Sequence, residues 1–355
     1  MWPMPSTKSS IEHFALSPRR GKQILCALMP ARPPLIDLHR HLDGSVRLET
    51  ILDLGRLHHV PLPADTLEAL RPHVVITTPQ PGLVEFLAKF RWMTGVLVDY
   101  DACRRVAREN VEDALREGIR YIELRFSPAF MADAHNLDPS RVTAAVIEGV
   151  REGEAATGVK ANLIGILTRT YGPVRARREL RALLDHREEI VALDLAGDEG
   201  NWPAELFVEH FDEGRRAGWQ VTVHAGEAAG PQSIVTAVEK LGATRIGHAV
   251  RATEDPRVMD LLRDRRIGIE ANLTSNVQTS TVPDYASHPL RAFLEAGLLA
   301  TINTDDPGIS GIDLPHELDV AAPAAGLDEA QIVQALDNAW EIAFLSPEER
   351  ARLRS

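Results

Sequence analysis

The chain predicts a closed (β/α)8 TIM barrel, and three observations predict it. Short apolar runs recur along the sequence, stretches with helical spacing separate them, and metal-binding residue types stand at the ends of several runs. The runs are Leu35–Leu38, Tyr121–Phe126, Ala161–Leu167, Ile190–Leu195, Trp219–Val223, Arg245–Ala249, Ile267–Leu273 and Leu298–Ile302. They are rich in Ile, Val and Leu and bounded by polar or Gly residues, which is how strands buried on both faces read. Between them, Asp101 to Glu117 repeats Val106, Val111, Ala114 and Leu115 at helical spacing, with Gly118 as a stop signal. Ser287 to Ala296 and Asp328 to Phe344 read the same way. An open doubly wound sheet is the alternative, but no GxGxxG or GxxxxGK[ST] opens any helix.

About eighty residues separate the first and second runs. Pro79 to Gly82 is a break, and Leu83 to Phe90 follows with apolar residues at helical spacing. It reads either as an amphipathic helix packed on the barrel or as a helical insertion after strand 1 covering the C-terminal mouth. In the second reading Leu83, Phe86, Leu87 and Phe90 wall an apolar pocket. Periodicity alone favours the first. With no internal repeat and no low-complexity linker, residues 31–355 read as one barrel domain. Residues 1–30, basic through Arg19, Arg20 and Lys22, read as a disordered tail.

The net charge of −12 argues against a nucleic-acid surface, which needs clustered Lys and Arg. Cys26 and Cys103 cannot frame a disulfide scaffold and offer no CxxC thiolate pair, so they read as reduced thiols in a cytoplasmic protein. No apolar stretch reaches the length of a membrane span. Nothing in the sequence sets an oligomeric state.

The polar residues fall at the run ends. His39 and His41 are two apart, so both side chains face the barrel interior. His224 ends the fifth run, His248 closes the sixth, and Asp305 and Asp306 follow the eighth. The carboxyl ends of barrel strands form the active-site face. Singly, each residue is ordinary, and His58, His59, His73, His135, His186 and His288 receive no function. Together, four strands deliver four histidines and two aspartates to one rim. Three imidazoles and a carboxylate suit Zn2+ with a position left for water. Such an ion lowers the pKa of its water from about 15.7 to about 7. Asp305 would bind the ion, His248, where it is not itself a ligand, would hold or polarise the water, and Glu227, three residues after His224, is placed as a general acid. A carboxyl that donates a proton needs a raised pKa, which a dry barrel mouth supplies. The H-x-E with P-C-x-x-C of cytidine deaminases, the H-E-x-x-H of metallopeptidases and the G-x-S-x-G of serine hydrolases are all absent.

Six ordered motifs carry a resemblance: Asp37-Leu-His-Arg-His-Leu-Asp-Gly-Ser45, Asp194-Leu-Ala-Gly-Asp-Glu199, Val223-His-Ala-Gly-Glu227, Arg245-Ile-Gly-His248, Leu273-Thr-Ser-Asn276 and Asn303-Thr-Asp-Asp-Pro-Gly308. With them, from about Leu35 to about Glu349, the chain resembles the adenosine deaminases of the metal-dependent hydrolase superfamily, bacterial type, also through Glu123-Leu-Arg-Phe-Ser-Pro128. The resemblance implies one Zn2+ per subunit on His39, His41, His224 and Asp305. It implies that Glu227 protonates purine N1, that His248 stands beside the attacking hydroxide and that Asp306 bonds N7. It further implies that the Gly197 backbone donates to N3 and that Asp43 contacts the ribose 5′-hydroxyl. Ser45 lies in the same ribose-side loop, His41 also faces the substrate, and Leu83–Phe90 becomes the lid. The implied reaction converts adenosine and 2′-deoxyadenosine to inosine and 2′-deoxyinosine with release of ammonia. Related barrels acting on adenine or aminofutalosine tend to carry Glu at the position of Asp43. Two stretches depart from the pattern: Ala249, where the family usually shows Gly, and Gly200-Asn-Trp-Pro203.

Overall fold

The computed structural model describes residues 32–355, so the tail expected over 1–30, and Cys26 with it, lie outside the described residues. Arg32–Ser355 forms one compact unit. Parallel strands follow in chain order: β1 (Leu35–His41), β2 (Ile119–Phe126), β3 (Lys160–Thr168), β4 (Ile190–Ala196), β5 (Gln220–Ala225), β6 (Arg245–His248), β7 (Gly268–Ala271) and β8 (Leu299–Ile302). Each apolar run coincides with one strand. β1 runs three residues past Leu38, because His41 stays in register with Arg125 of β2.

The seam between β8 and β1 closes at the rim. The His41 N–H donates to the Asp305 carbonyl (2.8 Å) and the Asp305 N–H to the His39 carbonyl (2.8 Å). Lower down, the Leu38 N–H donates to Asn303 Oδ1 (3.0 Å). The residues that close the barrel are therefore those expected in the site.

Alternation along the strands sends one set of side chains inward and one outward. Tyr121, Glu123 and Arg125 share one face of β2; Ile122, Leu124 and Phe126 share the other, and all six are buried. Barrel interiors are usually filled by branched apolar side chains. Here a ladder of alternating charges fills it instead. Arg245 pairs with Glu123 and places Nε 2.7 Å from Glu270 Oε1. Arg125 reaches Glu270 Oε2 (2.7 Å) and Asp194 Oδ2 (2.9 Å). Buried ions cost several kcal/mol each unless paired and hydrogen-bonded. Every carboxylate in this ladder touches a guanidinium, and Tyr121 and Thr222 hydroxyls add bonds to Glu123 and Glu270.

The insertion after β1 is helical: α1 (Leu48–Leu57), α2 (Leu67–Val74), α3 (Leu83–Leu87), a short stretch at Arg91–Thr94, and α4 (Tyr100–Arg116). Asp99 caps α4 by accepting from the Ala102 N–H (2.8 Å), and Gly118, at φ +77, ends it as expected. The helix expected over Leu83–Phe90 tightens to a 3-10 turn at Ala88–Phe90. Phe86 and Phe90 still pack edge to face, and Phe90 meets Phe130. The helix expected over Ser287–Ala296 is broken by Pro289. It becomes a 3-10 turn (Tyr285–Ser287) and α6 (Leu290–Glu295), which follows α5 (Leu273–Gln278). His288 between them is extended (ψ 133), as a residue before proline prefers. α7 (Glu329–Ile342) begins on a capping box of Asp328 and Gln331.

Among the described residues, no helix is long and apolar enough to cross a membrane. Trp340 of α7 is fully buried, and its Nε1–H donates to the Pro34 carbonyl (2.8 Å), tying the last long helix to the start of β1. Trp340→Ala is expected to destabilise the fold by about 3–5 kcal/mol, read as a lowered urea midpoint.

Candidate metal and active site

At the barrel mouth three imidazoles and one carboxylate converge. His41 Nε2 lies 3.1 Å from His224 Nε2, and Asp305 Oδ1 lies 3.2 Å from His39 Nε2 and 3.3 Å from His41 Nε2. The ligand atoms of His39, His41, His224 and Asp305 all fall within 4.8 Å of one another, a group able to hold a metal ion. The far nitrogens of two rings are fixed by carboxylates from the ladder. His39 Nδ1 bonds Glu270 Oε2 (2.7 Å) and His224 Nδ1 bonds Asp194 (3.1 Å). A carboxylate only accepts, so the ring proton sits on Nδ1 and the Nε2 lone pair faces the centre. His39 Nε2 is buried with no hydrogen-bond partner. That orphaned lone pair, aimed at the other three ligands, is what a divalent cation would satisfy, so the residues fit a metal.

Burial pushes Glu270 upward, but the guanidiniums of Arg125 and Arg245 hold it well below the usual carboxylate range. Asp194 is likewise drawn below its ordinary value by His224 and Arg125 against the effect of burial. Two other acids behave oppositely. Burial first, and then the nearby charges of Asp305 and Glu199, push Glu227 well above the usual range. Burial, Asp305 and Asp43 do the same to Asp306, whose Oδ1 has no partner in this buried setting. Asp43 is raised to about 7 by burial, against the Ser127 N–H that donates to it (3.2 Å).

His248 reaches the site by a backbone device. Arg245 and Gly247 face inward, since a Cβ on Gly247 would lie 2.9 Å from His39 Cε1. Simple alternation would therefore turn His248 outward. Its φ of +66 re-aims the ring, placing Nε2 3.7 Å from Glu227 Oε2 and 3.9 Å from Asp305 Oδ2. Ala249 follows at φ +53, a conformation that glycine adopts without penalty and alanine does not. Asp305 is left-handed too (φ +62). The Glu227 loop hangs from Glu199, whose carboxylate accepts from the N–H groups of Gly226, Glu227, Ala228 and Ala229.

These groups floor a cavity of about 200 Å³. His41, Asp43, Gly197, His224, Glu227, His248, Asp305 and Asp306 line it, as do Leu83, Phe86, Leu87 and Phe90, so the insertion does wall the mouth. His39 lies behind the lining. Ser45 stands apart from this lining: its hydroxyl donates to the His41 carbonyl (2.5 Å) and closes the turn. The reason for Gly44 emerges here, because a Cβ on it would lie 1.7 Å from Asp306 Oδ1. The sequence reading missed Phe130 and Tyr171 on the apolar wall and the orienting roles of Arg125, Asp194 and Glu270. A carboxylate inside an apolar run was the available signal for Glu270.

Fold and mouth together define a (β/α)8 barrel with a His/Asp group able to hold a metal ion beside further buried acids. The sequence profile described as Adenosine deaminase matches residues 34–355, and the chain belongs to the adenosine deaminase family. It is 59% identical over 321 residues to an adenosine deaminase of Salmonella schwarzengrund, covering 90% of this chain and 96% of that one. An adenine deaminase from Arthrobacter aurescens superposes with a TM-score of 0.82 at 25% identity, covering 90% and 97%. An amidohydrolase from Burkhoderia ambifaria, solved with bound Zn, gives 0.83 at 25% identity, covering 91% and 88%.

Arg125→Met would leave the buried carboxylates of Asp194 and Glu270 without their shared cation. The expected outcome is a loss of about 3–5 kcal/mol in chemical denaturation, far beyond a surface arginine control.

Proposed function

We propose that this chain hydrolyses the 6-amino group of adenosine and 2′-deoxyadenosine, leaving inosine or 2′-deoxyinosine and ammonia, with one zinc ion per subunit. One observation carries the reading: Glu227 is a buried carboxyl pushed toward its neutral form, off the metal group but 3.7 Å from His248. Three imidazoles and one carboxylate suit zinc with an open position. When bound, that ion makes a water acidic enough to supply a hydroxide-strength nucleophile at neutral pH.

The chain's own residues do the rest. Glu227 gives its proton to purine N1, which draws electrons from C6 and opens it to addition. Asp306, held toward its neutral form, donates to N7, which has only a lone pair to offer. Gly197, at φ +108, lets its backbone approach N3 where a Cβ would meet Thr170 Oγ1 at 2.6 Å. Asp43, one methylene shorter than Glu, leaves room for the ribose 5′-hydroxyl. The apolar wall of Leu83, Phe86, Leu87 and Phe90 excludes bulk water and strengthens each polar contact inside. Addition at C6 gives a tetrahedral carbon; the added hydroxyl gives up its proton as the C6 oxygen becomes a carbonyl, the amine takes up a proton and leaves as ammonia, and N1 keeps the proton from Glu227. His248 holds the incoming oxygen on the side of Asp305 Oδ2.

The nucleoside is favoured over the free base by Asp43 and by the contrast between a 59% match to adenosine deaminase and a 25% match to adenine deaminase. The acidic balance of −12 favours a small-molecule ligand over a nucleic acid, and the nucleoside substrate would place the enzyme in purine salvage in the cytoplasm.

Ammonia release is expected from adenosine and 2′-deoxyadenosine and not from adenine, AMP or aminofutalosine; turnover confined to adenine or aminofutalosine would overturn the nucleoside assignment. Glu227→Gln should lower kcat by about 100-fold or more while the bound metal stays at the wild-type level. Dialysis against a chelator should remove one zinc equivalent, lower Tm and abolish turnover, with recovery of both on adding zinc.

A further inference from the structure

His288 has no place in the chemistry above, yet it is almost fully buried and lies one residue removed from the site. The proton on each ring nitrogen can be followed from it by donors whose direction is fixed. The Leu290 N–H, in the first turn of α6, can only donate, and it lies 3.1 Å from His288 Nδ1. That nitrogen is therefore the bare one. Burial alone lowers the His288 pKa to about 3, so the ring is neutral and its single proton is on Nε2. His288 Nε2 lies 3.0 Å from Asn276 Oδ1, which accepts. The other end of the amide, Nδ2, then faces His248 Nδ1 at 3.0 Å and can only donate. Asn272 Nδ2 offers a second donor to the same nitrogen (3.3 Å).

We propose that His288 is a positioning residue which, through Asn276, fixes His248 as the tautomer carrying its proton on Nε2. The ring then presents a hydrogen-bond donor, and no basic lone pair, to the oxygen that adds at C6. His248 orients that oxygen and does not take its proton. The break at Pro289 makes the relay possible, because it leaves His288 extended and frees the Leu290 N–H for the ring. This role in turnover rests on the deaminase reading, but the tautomer itself does not.

The test uses the zinc-loaded, full-length protein labelled with 15N-histidine, with His248 assigned by loss of its signals in a His248→Gln variant. Ring-nitrogen spectra should give a protonated Nε2 and a bare Nδ1 for His248. A proton on Nδ1 in the wild type overturns the proposal, whatever the substrate proves to be. In His288→Phe the Nδ1–H form of His248 should appear, and kcat should fall about tenfold with KM unchanged. His288→Gln, which keeps a donor near the Nε2 position, should restore both the spectrum and most of kcat. An unaltered His248 tautomer in His288→Phe, or equal losses in both variants, overturns the relay. A protein that releases no ammonia from any purine would sink the deaminase reading while leaving the spectral result standing.

Discussion

The site depends on one buried cation. The guanidinium of Arg125 spans Asp194 and Glu270 and donates to the Leu38 carbonyl (2.8 Å). Through those two carboxylates it reaches His224 and His39, two members of the group able to hold a metal. Keeping both acids ionised keeps them acceptors, and an acceptor at Nδ1 is what turns each Nε2 lone pair toward the centre. An apolar residue at position 125 would leave Asp194 without its guanidinium and Glu270 with Arg245 alone, weakening the hold that keeps both acids ionised. The polar ladder in the barrel thus trades some of the stability of an apolar core for orientation of the ligands.

The same mouth holds acids in two states, and the surroundings sort them. Glu270 and Asp194 touch guanidiniums and stay charged. Glu227 and Asp306 sit among other acids in a buried place and are pushed toward the neutral form. A charged acid can orient an imidazole; only a protonated one can donate to a purine nitrogen. Four carboxyls of nearly equal intrinsic acidity therefore divide the work by their neighbours alone.

The rim is also where the backbone departs from ordinary geometry. His248, Ala249 and Asp305 adopt left-handed φ values, and none of the three is glycine. Such conformations cost about 1–2 kcal/mol per residue and persist where the surroundings impose them. Here they turn His248 back into the mouth and let Asp305 serve both the β8–β1 seam and the metal-binding group.

Much of this was legible in the residues. Apolar runs of four to seven residues forecast all eight strands, because a strand covered on both faces must be apolar along its length. His39, His41, His224 and Asp305 were found because polar residues at the ends of such runs have no reason to converge other than a shared ligand. The sequence could not place the split of the Leu83–Phe90 helix or the inward turn of Ser45, since both are set by contacts local to the folded loops. Nor could it say what Arg125, Glu270, Asn276 or His288 would each partner in the site. Their roles rest on hydrogen bonds between residues up to 231 positions apart, whose direction is fixed only when every donor and acceptor is in place. Local pattern determined which segments form the barrel and which residues reach its mouth. Only the packed interior, where a buried polar atom must find a partner, decided the protonation and the aim of each of them.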